Sequence, residues 1–228
     1  MLFLKKQKAN KDIRNRIIAA FPKNLHGDVD YVIEAIEKEL FVAEKTDYNL
    51  RTTSHVFTLS SNEQVSIPYR IWLDDCENSI ELTPVQQKIL HCIYSRSTDG
   101  YVREKHIRAI LEADIPFWAF PFVLKLCDEY VCEILSSIYD CLRVRDNSDI
   151  QAFCQMNISY FVYSHARMIS YWDYFYRDQC YKYNEYIGKK LYDECFGYTR
   201  KYEKYYDKSL LTSYQQKKPA DYMPPWSR

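Results

Sequence analysis

The chain has 228 residues, of which 47% are apolar and 27% charged, and its formal net charge is zero. Those values are ordinary for one globular domain, or two smaller ones. They leave no membrane span: the most apolar segment, Ile115 to Leu142, is interrupted by Lys125, Asp128, Glu129 and Glu133 long before about 20 apolar residues accumulate. The charge is unevenly spread. Residues 1–16 carry a net +5 and residues 200–228 a net +4, so the middle is near −9. Basic ends on an acidic body are compatible with a polyanion partner, although exposed tails are often basic without one. The eight cysteines form no C-x-x-C pair, and no secretory signal opens the sequence. A reducing cytoplasm is the compartment this predicts, and the tyrosine- and lysine-rich, glycine-poor composition suggests a bacterial source.

In chain order, Lys11 to Phe21 predicts a short basic amphipathic helix, ended by Pro22. A helix docked on the body is favoured over contact with a membrane surface. Asp28 is the expected N-cap of a second helix, whose stripe Val29, Val32, Ile33, Ile36 and Leu40 runs to about Lys45. The period then changes to two. His55–Ser60 and Val65–Trp72 alternate around the turn signal Ser61-Asn62-Glu63, which predicts a β-hairpin with Pro68 on an edge. Asp74 to Ser79 reads as an acidic linker and not as a metal loop, because the ligand pattern and glycine of a calcium site are missing.

Thr83-Pro84-Val85-Gln86 predicts a capped helix start, with Thr83 and Gln86 forming a capping box. Ser97 to Gly100 breaks this helix and another begins near Tyr101. From Pro121 the apolar residues Val123, Cys127, Val131, Ile134, Ile138 and Leu142 fall on one face of what reads as a single central helix. Lys125, Asp128, Glu129 and Glu133 mark its expected exposed edge. Gln86–Ile110 followed by Pro121–Leu142 resembles helical hairpins of the HEAT kind, with Asp99-Gly100-Tyr101-Val102-Arg103 similar to the turn and following arginine of such repeats. The resemblance covers residues 83–143, without a second copy at a fixed period, and it implies an α-helical binding scaffold.

After the charged linker Arg143–Asn147, Ser148 and Gln151 form a second predicted capping box. Fifteen of the 22 tyrosines follow residue 150. Phe161, His165, Met168, Trp172 and Tyr176 run at helical steps. The series continues through Cys180, Tyr183, Ile187, Leu191, Cys195, Tyr198, Tyr202 and Tyr205, with a period of about 3.6. Either one kinked helix or two antiparallel helices joined at Arg177–Asn184 fits, with Gly188 and Gly197 as places to bend. The favoured explanation is a core stripe, then a protein interface, then base stacking with Lys182, Lys189, Lys190, Arg200, Lys201 and Lys204 near phosphates.

The expected organisation is residues 1–147 as N-terminal helices, hairpin and central helical hairpins, residues 148–211 as a tyrosine-rich helical part packed on the first, and 212–228 as a tail. The fold class is mostly α: a helical bundle or short HEAT-like array with one small β-hairpin. No catalytic, cofactor-binding or metal-ligating motif is present. His91 and His106 can approach across the Asp99–Gly100 turn, but Cys92 faces elsewhere. The candidate binding surface comprises Arg96, Arg103, Arg167, Trp172, Asp173, Arg177, Tyr181, Tyr186 and Tyr192. For Arg167, Asp173 and Arg177 an intrahelical salt bridge is favoured over an anion site, and for Arg96 and Arg103 a role at the turn is favoured over a site. Non-enzymatic binding of a protein, or of a second copy, is the favoured function, and a bacterial immunity or defence-associated adaptor fits the size and the lack of a catalytic motif. A nucleic-acid-binding accessory protein is the alternative, and an enzyme of unfamiliar type comes third.

Overall fold

In a computed structural model, the residues described are 12–36, 54–71, 73, 81–112 and 114–206. The fold is mostly α-helical with one small antiparallel hairpin, and one continuous hydrophobic core runs through it. The acidic linker at 74–79 and the tail lie outside the described residues; the second helix ends at Ala35, capped by Ile36, rather than near Lys45, where its stripe predicts. No helix among the described residues is long and apolar enough to cross a membrane.

Helix α1 (12–18) presents Ile17 inward, with Ala20 and Phe21 buried just after it. Arg14 on its outer side pairs with Asp30 at 2.9 Å and Glu34 at 3.2 Å on α2 (His26–Ala35). The helix is therefore docked, and its apolar side is committed to the core. α2 begins two residues before the expected cap, so Asp28 sits in the first turn, where a carboxylate still suits the dipole. Its Oδ1 accepts from Gln86 Nε2 at 2.9 Å.

The hairpin pairs β1 (Ser54–Thr58) with β2 (Gln64–Pro68), with His55 opposite Ile67 and Phe57 opposite Val65. These four side chains are buried while Ser54, Val56 and Gln64 face out, as a period of two demands. Asn62 turns the chain with φ 59°. A two-stranded sheet needs support. Ser66 N–H donates to the Ala19 carbonyl at 2.7 Å, and the Asn157 amide brackets Thr58, accepting from its N–H at 2.8 Å and donating to its carbonyl at 3.0 Å.

Helix α3 (Pro84–Tyr94) carries the complete Thr83–Gln86 capping box. Helix α4 (Gly100–Leu111) follows, its first turn capped by Asp99, which accepts from Tyr101 N–H at 2.8 Å. The expected central helix is instead two: α5 (Phe120–Leu126) and α6 (Cys132–Leu142), separated by a turn ending on extended Val131. Lys125 and Asp128 are fully buried and Glu129 is 3% exposed; of the expected outer edge, only Glu133 is exposed. The apolar positions keep helical phase across the break, so periodicity does not reveal it. Cations from distant elements draw the two carboxylates inward.

Helix α7 (Ser148–Met156) lacks the expected capping box. Asp146 accepts from Ser148 N–H instead, at 2.9 Å, and Gln151 Nε2 donates to the Cys195 carbonyl at 3.0 Å. Helix α8 (Ile158–Tyr171) runs on into a π turn, Trp172–Tyr176. The chain then loops back into α9 (Ile187–Lys190), continued by a second π turn, Leu191–Cys195. Residue 188 meets Met168, and Tyr192 meets Ser164 and Phe161, so the return is antiparallel. Gly188 is not a bend. A Cβ there would stand 2.6 Å from the Tyr186 ring and 2.8 Å from Met168 Cγ, so glycine permits the two segments to touch. Gly197, at φ +67°, does stop the helix.

Candidate functional site

Breaking the polypeptide between α5 and α6 sends Asp128 and Glu129 into the interior. Buried carboxylates require partners. Glu129 Oε1 receives Arg70 Nη1 from the end of the hairpin at 2.7 Å and Arg96 Nη2 from the end of α3 at 3.0 Å. Arg103 of α4 brings Nε to 2.8 Å from Oε2, an ion pair without hydrogen-bond alignment. Arg103 Nη1 also donates to the carbonyls of Ser97 and Thr98, at 3.0 and 2.9 Å, which closes the α3–α4 turn. The neighbouring Asp128 accepts from Lys125 Nζ at 3.2 Å and from the Tyr160 hydroxyl at 3.1 Å, and Arg167 Nε lies 3.2 Å from its Oδ2. Lys125 lies over the rings of Tyr69 and Tyr160.

The electrostatics follow from this crowding. Burial works against the Glu129 carboxylate, yet Arg70, Arg103 and Arg96 hold its carboxyl at about 2. Burial likewise opposes charge on Asp128, and Lys125 and Arg167 keep its carboxyl below the ordinary value. Burial lowers Lys125 to about 8, against the pull of Asp128, with Arg96 and Arg167 lowering it further. His55 is pushed down to about 3 by burial and then by Lys125, so it is neutral. Among the described residues, five cations meet two carboxylates here. Arg96, wholly buried, donates through Nη2 to the Tyr69 carbonyl and Glu129, and among the described residues its Nε and Nη1 have no hydrogen-bond partner. The arrangement joins the hairpin, α3, α4, α5 and α8 at one point and leaves an excess of positive charge.

The nine candidate surface residues do not form one surface. Arg96 and Arg103 belong to the Glu129 cluster, and Arg167 belongs to Asp128 while also donating to the hydroxyls of Tyr163 and Tyr171. Tyr192 is fully buried against the Ser164 hydroxyl, and Tyr186 is buried and stacked on Tyr176. Trp172 is 8% exposed, with Nε1 donating to the Cys180 carbonyl at 2.9 Å. Trp172 lies inside on the expected stripe, whereas Tyr186 and Tyr192, off that stripe, are buried because the segment returning along α8 turns their side of the chain inward. The remaining three are exposed: Asp173 and Arg177 pair at 2.8 Å, with Arg177 over the Trp172 ring, and Tyr181 is 81% exposed. Tyr174, off the stripe, joins them at 78%. Sequence reasoning passed over Arg70, Lys125, Asp128, Glu129 and Tyr174. Charged residues inside the most apolar segment were the available signal for Lys125, Asp128 and Glu129.

His91 and His106 do meet, Nδ1 to Nδ1 at 2.9 Å, with His106 stacked on Tyr94. Burial, then Lys88, lowers the His91 pKa. Among the described residues, no group of three or more His, Cys, Asp or Glu side chains is placed to hold a metal ion. No family model, curated protein or solved structure matches this chain, so the functional argument rests on the side chains themselves.

Proposed function

We propose that this chain is a helical binding protein that docks a protein partner through the outward side of the π turn after α8. The observation that carries this reading is two aromatic side chains turned to solvent, Tyr174 in that turn and Tyr181 in the loop that follows it, at 78% and 81% exposure. They are flanked by the Asp173–Arg177 pair and by Arg177 over Trp172. Tyrosine supplies large contact area with little loss of side-chain freedom, and tyrosine and arginine are both enriched where proteins meet. The buried tyrosines behind them hold the turn in place. Binding to nucleic acid is disfavoured because Lys182 pairs with Glu185 and Lys189 with Asp193.

A cytoplasmic bacterial adaptor, with residues 83–143 as a short HEAT-like array and 148–211 packed on 1–147 as one domain, is the wider setting we propose. The test is a photo-crosslinking aromatic residue placed at position 174 or 181 in the native host. A discrete protein adduct is expected at both positions, with none at the equally exposed Val144. An adduct of twice the chain's mass identifies the partner as a second copy. Equal labelling at Val144 overturns the surface. Separately, nucleic-acid titration at two salt concentrations is expected to show no binding, and binding that weakens steeply with salt would favour the alternative.

A further inference from the structure

Cys132 opens α6, and Cys180 lies in the loop after the π turn, between exposed Gln179 and Tyr181; both are half-buried free thiols. Tyr176 joins their backbones. Its hydroxyl accepts from Cys132 N–H at 3.2 Å and donates to the Tyr130 carbonyl, and its own carbonyl accepts from Cys180 N–H at 2.8 Å. Trp172 Nε1 holds Cys180 in turn through the Cys180 carbonyl, at 2.9 Å. The thiols sense one another: burial, then Glu133 and Cys180, raises the Cys132 thiol against a hydrogen bond from Ser136. Tyr186 closes the group. Its ring stacks on Tyr176 at 5.7 Å, and its buried hydroxyl has no hydrogen-bond partner among the described residues. Burial, then Cys132, Tyr176 and Cys180, pushes that hydroxyl's pKa up, so it stays a neutral donor beside the two thiols. The remaining described cysteines differ: Cys92, Cys127, Cys154 and Cys195 are enclosed in the core, and Cys141 donates to the Leu111 carbonyl at 3.4 Å.

We propose that Cys132 and Cys180 form a reversible dithiol–disulfide pair, closed by a hydroperoxide and reopened by a thiol reductant. The Cys180 sulfur, on the loop, attacks the outer peroxide oxygen. The O–O bond breaks, Cys180 becomes a sulfenic acid, and its thiol proton leaves on the released water or alcohol. The Cys132 sulfur then displaces the sulfenic oxygen, which departs as water with the Cys132 proton, and the S–S bond forms. The two sulfurs lose two electrons and the peroxide gains them. The unpartnered Tyr186 hydroxyl is the local donor for the departing oxygen. The closed bridge ties the loop that carries Tyr181 to the start of α6. It stands apart from the docking proposal, and neither requires the other.

The test treats the reduced full chain with hydrogen peroxide under native conditions, then alkylates and digests it. Mass spectrometry is expected to find the Cys132 and Cys180 peptides joined, two hydrogens lighter than their reduced sum, and separated again by dithiothreitol. The oxidised protein should unfold about 5 °C or more above the reduced form, because the bridge closes a long loop. Amide exchange across residues 177–182 should slow. In Cys132→Ser the second step is blocked, so dimedone, which traps sulfenic acids, should label Cys180 at least tenfold more than in the parent. A bridge that forms only in urea, a bridge from either residue to a different cysteine, no bridge at all, or equal dimedone labelling in parent and variant would each overturn the proposal.

Discussion

The turn between α5 and α6 and the turn after α8 invert each other. At the first, charged side chains are inside: Lys125 and Asp128 have no exposure and Glu129 has 3%. At the second, aromatic side chains are outside, Tyr174 and Tyr181 above all. Each violates the simple rule of apolar inside and polar outside, for a different reason. The first is an ionic junction of five segments whose members compensate one another. The second is a rim left over once the packing of α8 against its return segment has filled the interior with Phe161, Met168, Trp172 and Tyr192. A buried charge is therefore held by its neighbours, and an exposed ring by the packing beneath it. Disturbing the two should have opposite consequences.

The largest effect is expected from Glu129→Gln. It leaves Arg70, Arg96 and Arg103 buried without their carboxylate, and breaking a buried pair in this way costs about 3–5 kcal/mol. Urea unfolding measures it; a loss under about 1 kcal/mol would mean that the junction is not a stability element. In the tyrosine region, the comparable structural change is Gly188→Ala. Its Cβ would enter the space of Tyr186 and Met168, and overpacking of this kind costs about 1–3 kcal/mol. An unchanged midpoint would show that α9 shifts freely on α8.

Acid should weaken both regions. Burial pushes the neutral rings of His55 in the first and His165 in the second down to about 3 and about 4. The unfolded chain takes up these protons first, so the stabilisation is complete above the ordinary histidine value near 6.5 and fades as pH falls toward those folded values. Glu129, held at about 2, adds a loss only below the ordinary carboxyl value near 4.5. A shallower acid slope in His55→Gln than in the parent checks the first region alone.

Lys125→Met takes one partner from the buried Asp128 carboxylate, which keeps Arg167 and the Tyr160 hydroxyl, so at pH 7 it should cost less than Glu129→Gln, about 1–3 kcal/mol. Lys125 also leaves a signature in alkali. Its folded value of about 8 lies below the ordinary 10.5, so its contribution to stability rises as pH climbs between those values. That rise should be missing from the variant's difference curve. The smallest stability effect belongs to the joint change Tyr174→Ser and Tyr181→Ser, within about 0.5 kcal/mol for exposed side chains. Loss of the crosslinked partner with an unchanged unfolding curve would separate docking from folding.

Much of the helical fold was legible because it depends on local rules. The Thr83–Gln86 box, the Asp99 turn and the alternation of Val65 and Ile67 all involve residues within a few positions of each other. The tyrosine stripe was readable only in its first half: Phe161, His165, Met168 and Trp172 are buried along α8 and its π turn, but the chain from 177 to 205 is broken into short helical turns, Tyr205 is exposed, and the off-stripe Tyr186 and Tyr192 are buried. Where local signals competed, distance decided. Ser148 and Gln151 had the pattern of a box, but Cys195 took Gln151, 44 residues away.

The candidate site was far less legible. Arg70, Arg96, Arg103 and Arg167 approach Asp128 and Glu129 from four elements spread across the chain, and no spacing in the sequence encodes that meeting. By itself the sequence determined where helices and strands form and which faces are apolar, because backbone geometry and side-chain periodicity act over a few residues. Only the tertiary structure decided that the central apolar segment breaks after Leu126 and that its charges turn inward. Desolvating a carboxylate is unfavourable until the cations that compensate it have been brought alongside, and that is a property of the assembled fold.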